Sequence, residues 1–299
     1  MSKEILFIIN PIAGNGKKKD IVEKILKYLD TTLYTPQILY TKGVGDATNL
    51  ARSSFADVVV AVGGDGTVNE VAKGIVGTDK VLGVIPCGSG DGFALHLGIS
   101  RDIKNAINVI NKGYYKALDY ALADNEPFFC TAGLGIDALT AYEFAKGGKR
   151  GVWSYVSSAL RIWKNFKPEQ YLIDVDGLKL NKEAALITVA NAGQWGNNAR
   201  IASKASMEDG LLDVCIVSPF RTIHIPMLLI KLMSGKIHTS KRITILRGCK
   251  VVIERENEGA THFDGNSCKK GKQIVFQIIA GGINVLVPLS KNYIISNPE

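Results

Sequence analysis

No two cysteines in this chain stand at Cys-x-x-Cys spacing. Cys87, Cys130, Cys215, Cys249 and Cys268 are five in number and show no paired spacing. That excludes a zinc ribbon and a disulfide framework. The four histidines show no metal-ligand spacing either. No apolar run reaches the ~20 residues that a spanning helix needs. The best candidate, 223–233, is broken by Pro226 and Lys231. The start of the chain lacks the charged, apolar and cleavage regions of a signal peptide. A reducing cytoplasm is therefore the expected compartment, with any membrane contact peripheral. The sequence has no internal repeat and no low-complexity segment. The phosphate-loop pattern Gly-x-x-x-x-Gly-Lys-Ser/Thr is missing, and so is Gly-x-Gly-x-x-Gly after the first strand.

What is present is an ordinary globular composition. Of 299 residues, 46% are hydrophobic and 21% charged, enough for a substantial core and against long disorder. Lys and Arg total 36 against 28 Asp and Glu, a net charge of +8. That excess suits nucleotide phosphates, nucleic acid or an anionic membrane surface. The basic residues do not cluster with aromatics along one element, which argues against nucleic acid. The densest cluster, Lys17-Lys18-Lys19, follows a glycine turn. It reads either as a solvated helix start or as a reach toward a bound anion.

The first third alternates short apolar runs with helical spacing. Residues 5–9, 58–62 and 81–85 are continuous apolar runs, as strands covered on both faces would be. Residues 35–40 read as a further strand. Helical spacing follows at 21–29, 46–53 and 69–76. Strand, glycine turn and helix in repetition imply an α/β domain with a doubly wound, mainly parallel sheet. Beyond about residue 115 the runs are strand-like: 128–132, 171–175, 185–191, 212–217, 250–254 and 274–279. Asp176-Gly177 and Asp264-Gly265 are hairpin-type turns. Helical patterns interrupt near 155–166 and 223–234. The expected organisation is an N-terminal domain over 1–120 and a mostly antiparallel, β-rich domain over 121–285. The last strand, 283–288, is not assignable by pattern, and 286–299 could return to the first domain.

Three glycine-rich turns fall at strand ends: 10–16, 63–67 and 88–92. In open α/β sheets ligands sit beyond the carboxyl ends of strands. Glycines let the backbone approach a phosphate, and a following helix N-terminus adds a positive dipole. Asp65 stands out among them. A carboxylate in a phosphate-binding turn repels its ligand unless it holds a cation or takes a proton from the attacking hydroxyl. The alternative is a cap for a helix beginning near Thr67.

The run Gly63-Gly64-Asp65-Gly66-Thr67-Val68-Asn69-Glu70-Val71 resembles the signature of the diacylglycerol kinase catalytic-domain family. That family includes bacterial lipid kinases, sphingosine kinases and ceramide kinase. Asn10-Pro11 with Gly14 resembles its first phosphate turn, and Pro86-x-Gly88-Ser89-Gly90 its third. Residues 208–214 and Asp264-Gly265 resemble two later motifs. The resemblance implies a site in a cleft between the two domains. It implies that Asn10, Gly14, Thr41, Gly63, Gly64, Asp65, Gly66, Thr67, Asn69 and Ser89 contact ATP. It further implies a Mg²⁺ site from Asp209 with the backbone carbonyls of Ser206 and Leu211. The expected activity is phosphoryl transfer to a lipid hydroxyl, by a protein peripherally attached to membrane. A homodimer is left open.

Two departures qualify the resemblance. The family usually has Asp-Gly-Glu in its last motif, with that Glu as general base in bacterial members. Here the run is Asp264-Gly265-Asn266, and an amide cannot accept the proton. Asp65 and Asp264 are the remaining candidate bases. The third turn, Gly88-Ser89-Gly90-Asp91-Gly92, is closer to sphingosine and ceramide kinases, which widens the acceptor to sphingoid or ceramide-like lipids. Asp137 lies where sphingosine kinases carry an acid facing the lipid head group. The apolar stripe from Trp153 to Phe166 reads either as a lipid-pocket wall or as ordinary core. Two competing functions stay open. One is an NAD kinase, which shares the Gly-Gly-Asp-Gly turn. The other is a nucleotide-binding regulator with weak catalysis, motivated by Asn266.

Overall fold

A computed structural model describes residues 2–14, 20–145, 162–163 and 166–289. The Lys17–Lys19 cluster and most of the 153–166 stripe lie outside these residues. The chain divides into two compact units, Met1–Leu118 with Gly281–Glu299, and Asp119–Ala280. The return to the first unit starts earlier than residue 286. The runs at 274–279 and 283–288 are in fact one strand, and its end belongs to the first unit.

The first unit holds β1 (Lys3–Ile9), α1 (Ile21–Tyr28), β2 (Tyr34–Tyr40), α2 (Asp46–Ser53) and β3 (Val58–Gly63). It continues with α3 (Asp65–Ile75), β4 (Val81–Pro86), α4 (Gly92–His96) and α5 (Ile103–Lys112). Strands β2, β1, β3 and β4 are parallel neighbours in that order. Ile5 to Ile9 and Val58 to Gly63 are buried throughout. Helices on both faces leave no polar side to such strands, so alternation disappears from their sequence.

The chain then enters the second unit along β5 (Tyr115–Ala123). It continues with β6 (Glu126–Phe128), β7 (Thr131–Gly135), α6 (Ile136–Ala145), β8 (Glu169–Val175) and β9 (Leu178–Ala184). Then come β10 (Leu186–Ala190), β11 (Leu212–Val217), α7 (Ile225–Met233) and β12 (Ile243–Gly248). The unit ends with β13 (Lys250–Arg255), β14 (Gly259–Phe263), β15 (Asn266–Lys270) and most of β16 (Gln273–Leu286). One sheet runs β12-β11-β10-β7-β14-β15, antiparallel throughout. Facing it, β16, β13, β8 and β9 pair antiparallel in sequence. Alternate residues from the two sheets, among them Leu134, Val189, Val214, Ile173, Val251 and Phe276, form one buried core.

The two hairpin turns adopt the expected geometry. Asp176 and Gly177 have φ of 50° and 91°, and Asp264 and Gly265 have 48° and 82°. Positive φ at both central residues matches the strand twist. The expected strand 128–132 is corrected to two, β6 and β7, separated by Phe129 and Cys130. Strand β11 is buried on both faces for a local reason. Leu212, Val214 and Ile216 enter the central core, while Cys215 joins an outer cluster with Ala190, Ile201, Ala202 and Ile237.

Candidate active site

Strand β1 leads to β2 on one side, and β3 leads to β4 on the other. The carboxyl ends of β1 and β3 are therefore the point where the winding reverses, the usual ligand crevice of such sheets. Asn10 follows β1, and its amide donates to Thr67 Oγ1 at 3.0 Å. Its Oδ1 accepts from the Ile12 N–H at 3.1 Å, which shapes the first turn. Thr67 is buried in the first turn of α3. One side chain thus ties the first glycine turn to the second across the reversal.

The third turn closes on the other two. The Cys87 N–H donates to the Gly63 carbonyl at 2.8 Å. A Cβ on Gly88 would stand 2.5 Å from Gly64 Cα, and a Cβ on Gly14, at φ 79°, would strike the Cys87 carbonyl oxygen. Only glycine permits this approach. Asp91 then locks the turn. It is buried in the left-handed conformation at φ 49°. Its Oδ1 accepts from the Gly88 N–H at 2.8 Å, and its Oδ2 pairs with Arg101 Nε at 2.9 Å. Arg101 Nη2 also donates to the Gly90 carbonyl at 2.7 Å. The sequence reading missed Asp91 and Arg101 as a pair, because the partners are ten residues apart and Arg101 carries no motif.

Helix α3 starts at Asp65, with Gly64 as its N-cap, a residue with no side chain to cap it. The expected alternative, Asp65 as cap of a helix near Thr67, is corrected by this geometry. Asp65 Oδ1 instead accepts from the Phe93 N–H at 3.1 Å, so it braces the start of α4. The start of a helix offers N–H groups and a positive dipole to an anion.

Thr41 follows β2, and its N–H donates to the Ile9 carbonyl at 2.9 Å, beside Asn10. Gly66 and Ser89 are exposed. Asn69 is 2% exposed, set within α3 rather than at its tip. Of the expected nucleotide contacts, Asn10, Gly14, Gly63, Gly64, Asp65 and Thr67 are brought together with the third turn.

The second unit shows what its candidate carboxylates touch. Asp264 accepts three backbone N–H bonds: Phe129 at 2.8 Å, Cys130 at 2.8 Å and Thr131 at 3.0 Å. Its own N–H donates to the Thr131 carbonyl at 2.8 Å. Both carboxylate oxygens are thereby occupied by backbone donors. Asp264 thus splits β6 from β7.

Asp209 accepts from the Leu211 N–H at 3.1 Å and forms an ion pair with Arg247 Nη2. Ser206 Oγ accepts from the Glu208 N–H at 3.2 Å. Arg247 Nε also reaches Asp213 at 3.3 Å. Burial pushes the Asp213 carboxyl up, and Arg247 opposes that shift. Among the described residues no three His, Cys, Asp or Glu side chains gather as a metal site. Asp209 thus faces a guanidinium as well as the Leu211 N–H. Arg247 lies across the β11–β12 pairing from Asp213, a non-local contact with no sequence signal. Asp119 also escaped the sequence reading. It accepts from the Gly210 N–H at 2.7 Å and so fixes the turn carrying Asp209.

Asp137 opens α6 and is buried. Its Oδ2 meets His262 Nε2 at 2.7 Å. Gly133 makes room for both, since a Cβ there would strike His262 Nε2 and come within 2.6 Å of Asp137 Oδ2. Burial would lower the His262 pKa, but Asp137, with a smaller contribution from Asp264, holds it above the ordinary imidazole value. Asp137 is therefore buried against the His262 imidazole.

Comparison with known proteins follows these two units. Residues 4–123 match the diacylglycerol kinase catalytic domain. Residues 131–287 match the YegS C-terminal NAD kinase beta sandwich-like domain. A diacylglycerol kinase of Bacillus subtilis (strain 168) is 29% identical over 223 residues, 72% of this chain and 74% of that protein. An uncharacterized protein of Synechocystis is 30% identical over 228 residues, covering 71% of this chain. The match takes in 52% of that protein, so it spans about half the length of this relative. A solved structure from Bacillus anthracis str. Sterne, provisionally designated a diacylglycerol kinase, superposes with a TM-score of 0.80. It is 27% identical and covers 96% of this chain and 98% of its own.

Proposed function

Because the chain belongs to the family that joins a diacylglycerol kinase catalytic domain to a YegS-type beta sandwich-like domain, we propose that it is an ATP-dependent lipid kinase. The γ-phosphoryl group of ATP, supplied as its magnesium complex, passes to the hydroxyl of a diacylglycerol- or sphingoid/ceramide-like lipid. The observation that carries this reading is the interlock of three glycine turns at neighbouring strand ends, with the Asp65 carboxylate among them. Phosphoryl transfer asks mainly for positioning and charge stabilisation. The turns let backbone approach the phosphates, and the dipole of α3 favours their charge.

Asp65 is the residue proposed to accept the proton. As the lipid oxygen attacks the γ-phosphorus, its O–H bond breaks toward the Asp65 carboxylate and ADP leaves. Asp264 is proposed as a positioning residue, because its oxygens already hold three N–H groups. Asp137 is proposed to act on the acceptor side through His262.

The close approach of the turns gives a direct prediction. Gly88→Ala should weaken ATP binding by at least about tenfold, or about 1.4 kcal/mol, by titration calorimetry. The added methyl would press on Gly64 Cα and on Asp91 Oδ1 at 2.6 Å. Unchanged affinity would mean that the nucleotide does not use this contact.

One observation supports a second reading. The C-terminal family model is described as NAD kinase beta sandwich-like, which keeps NAD as a competing acceptor. ATP labelled at its γ-phosphate, offered with diacylglycerol, ceramide, sphingoid base, monoacylglycerol and NAD, separates the readings. A labelled lipid phosphate is expected.

A further inference from the structure

Helix α7 leaves one apolar face uncovered. Leu228 and Leu232 pack on the outer cluster of Ala190, Ile201, Ala202, Cys215 and Ile237, so the helix is anchored by one side. Away from them, Ile223, Met227 and Ile230 recur at i, i+4 and i+7 and are 80%, 58% and 64% exposed. Met233 adds a fourth apolar side chain, 47% exposed. Single exposed apolar residues are ordinary, but four along one stripe mark an interaction surface.

The charge of the same segment names the partner. The 40 residues from 214 to 253 contain seven Lys or Arg and no Asp or Glu. Arg221, Lys236 and Lys241 are exposed at the two ends of the helix segment. At the start of the stripe, an open recess of about 590 Å³ is lined by Pro219, Phe220, Arg221, His224 and Arg242. Arg242 is held there by His224 Nε2 at 2.9 Å and the Pro219 carbonyl at 3.2 Å.

We propose that this face of α7 docks on an anionic phospholipid bilayer. The stripe enters the headgroup–acyl boundary, while Arg221, Lys236, Lys241 and Arg242 meet lipid phosphates. Amphipathic helices with cations beside an apolar face bind in this way. A second copy of the chain fits worse, because its face would bring Arg221, Lys236, Lys241 and Arg242 against the same four cations. Nucleic acid fits worse too, because the stripe presents no aromatic side chain for stacking. Docking does not depend on the proposed reaction. A kinase that fails to dock would still label dispersed lipid, and a docking protein without kinase activity would still bind vesicles.

The test is flotation of the full chain with phosphatidylcholine vesicles, with and without about a third phosphatidylserine. Binding to the anionic vesicles alone is expected, weakening as salt rises. Met227→Asp with Ile230→Asp should lower that affinity at least about tenfold. Arg221→Gln should lower it roughly fivefold. All three side chains are exposed, so thermal unfolding should stay unchanged. Equal binding by the double variant would overturn the proposal, as would indifference to phosphatidylserine. A wild-type dimer that the double variant dissociates, without vesicle binding, would assign the face to self-association instead.

Discussion

Asp65→Asn should lower the rate of phosphoryl transfer by at least about 100-fold, or about 2.7 kcal/mol of barrier. It should leave the fold and the ATP affinity near wild type. The reason is the geometry of the contact. Asp65 Oδ1 accepts from the Phe93 N–H at 3.1 Å, and an asparagine keeps an amide oxygen that accepts the same bond. What disappears is the negative charge and the capacity to take a proton. The charge at the start of α3 is worth only about 0.3–1 kcal/mol to the helix. That is well below the expected kinetic effect, so a large rate loss cannot be put down to a weakened helix. Turnover close to wild type would reduce Asp65 to a brace for α4.

Asp264→Ala should act on stability instead. It strips acceptors from three backbone N–H groups at Phe129, Cys130 and Thr131, and all three residues are buried. A buried donor left without a partner costs about 1–3 kcal/mol, so the loss is about 3 kcal/mol or more. For a unit the size of Asp119–Ala280, Tm should fall by roughly 6–12 °C. Asp264→Asn should fall less, since one amide oxygen still accepts while the amide nitrogen faces an N–H. Below its unfolding range that variant should retain most of its turnover. A 100-fold loss of turnover in Asp264→Asn with an unshifted Tm would move the proton chemistry from Asp65 to Asp264.

The same two residues show how far the sequence could be read. The parallel strands were legible because full burial makes them continuous apolar runs, as in Val58 to Val62. The glycine turns were legible because close backbone approach tolerates no other residue, as at Gly14 and Gly88. Helix α5 carries local signals at both ends. Asp102 caps it by accepting from the Asn105 N–H at 2.9 Å, and Gly113 ends it at φ 64°. The break between β6 and β7 was not legible. It depends on Asp264, which lies 135 positions from Phe129. Arg247 on Asp209 and His262 on Asp137 are likewise partnerships across 38 and 125 positions. Spacing rules describe neighbours along a helix or strand and have no reach over such separations.

Transfer of a γ-phosphate label from ATP, run side by side with wild type and Asp65→Asn, bears most directly on the kinase assignment. The expected result is a labelled lipid phosphate formed by wild type from diacylglycerol, ceramide or a sphingoid base, with almost none formed by Asp65→Asn. Label found only in NADP would contradict it, as would measurable ATP binding with no labelled acceptor of any kind.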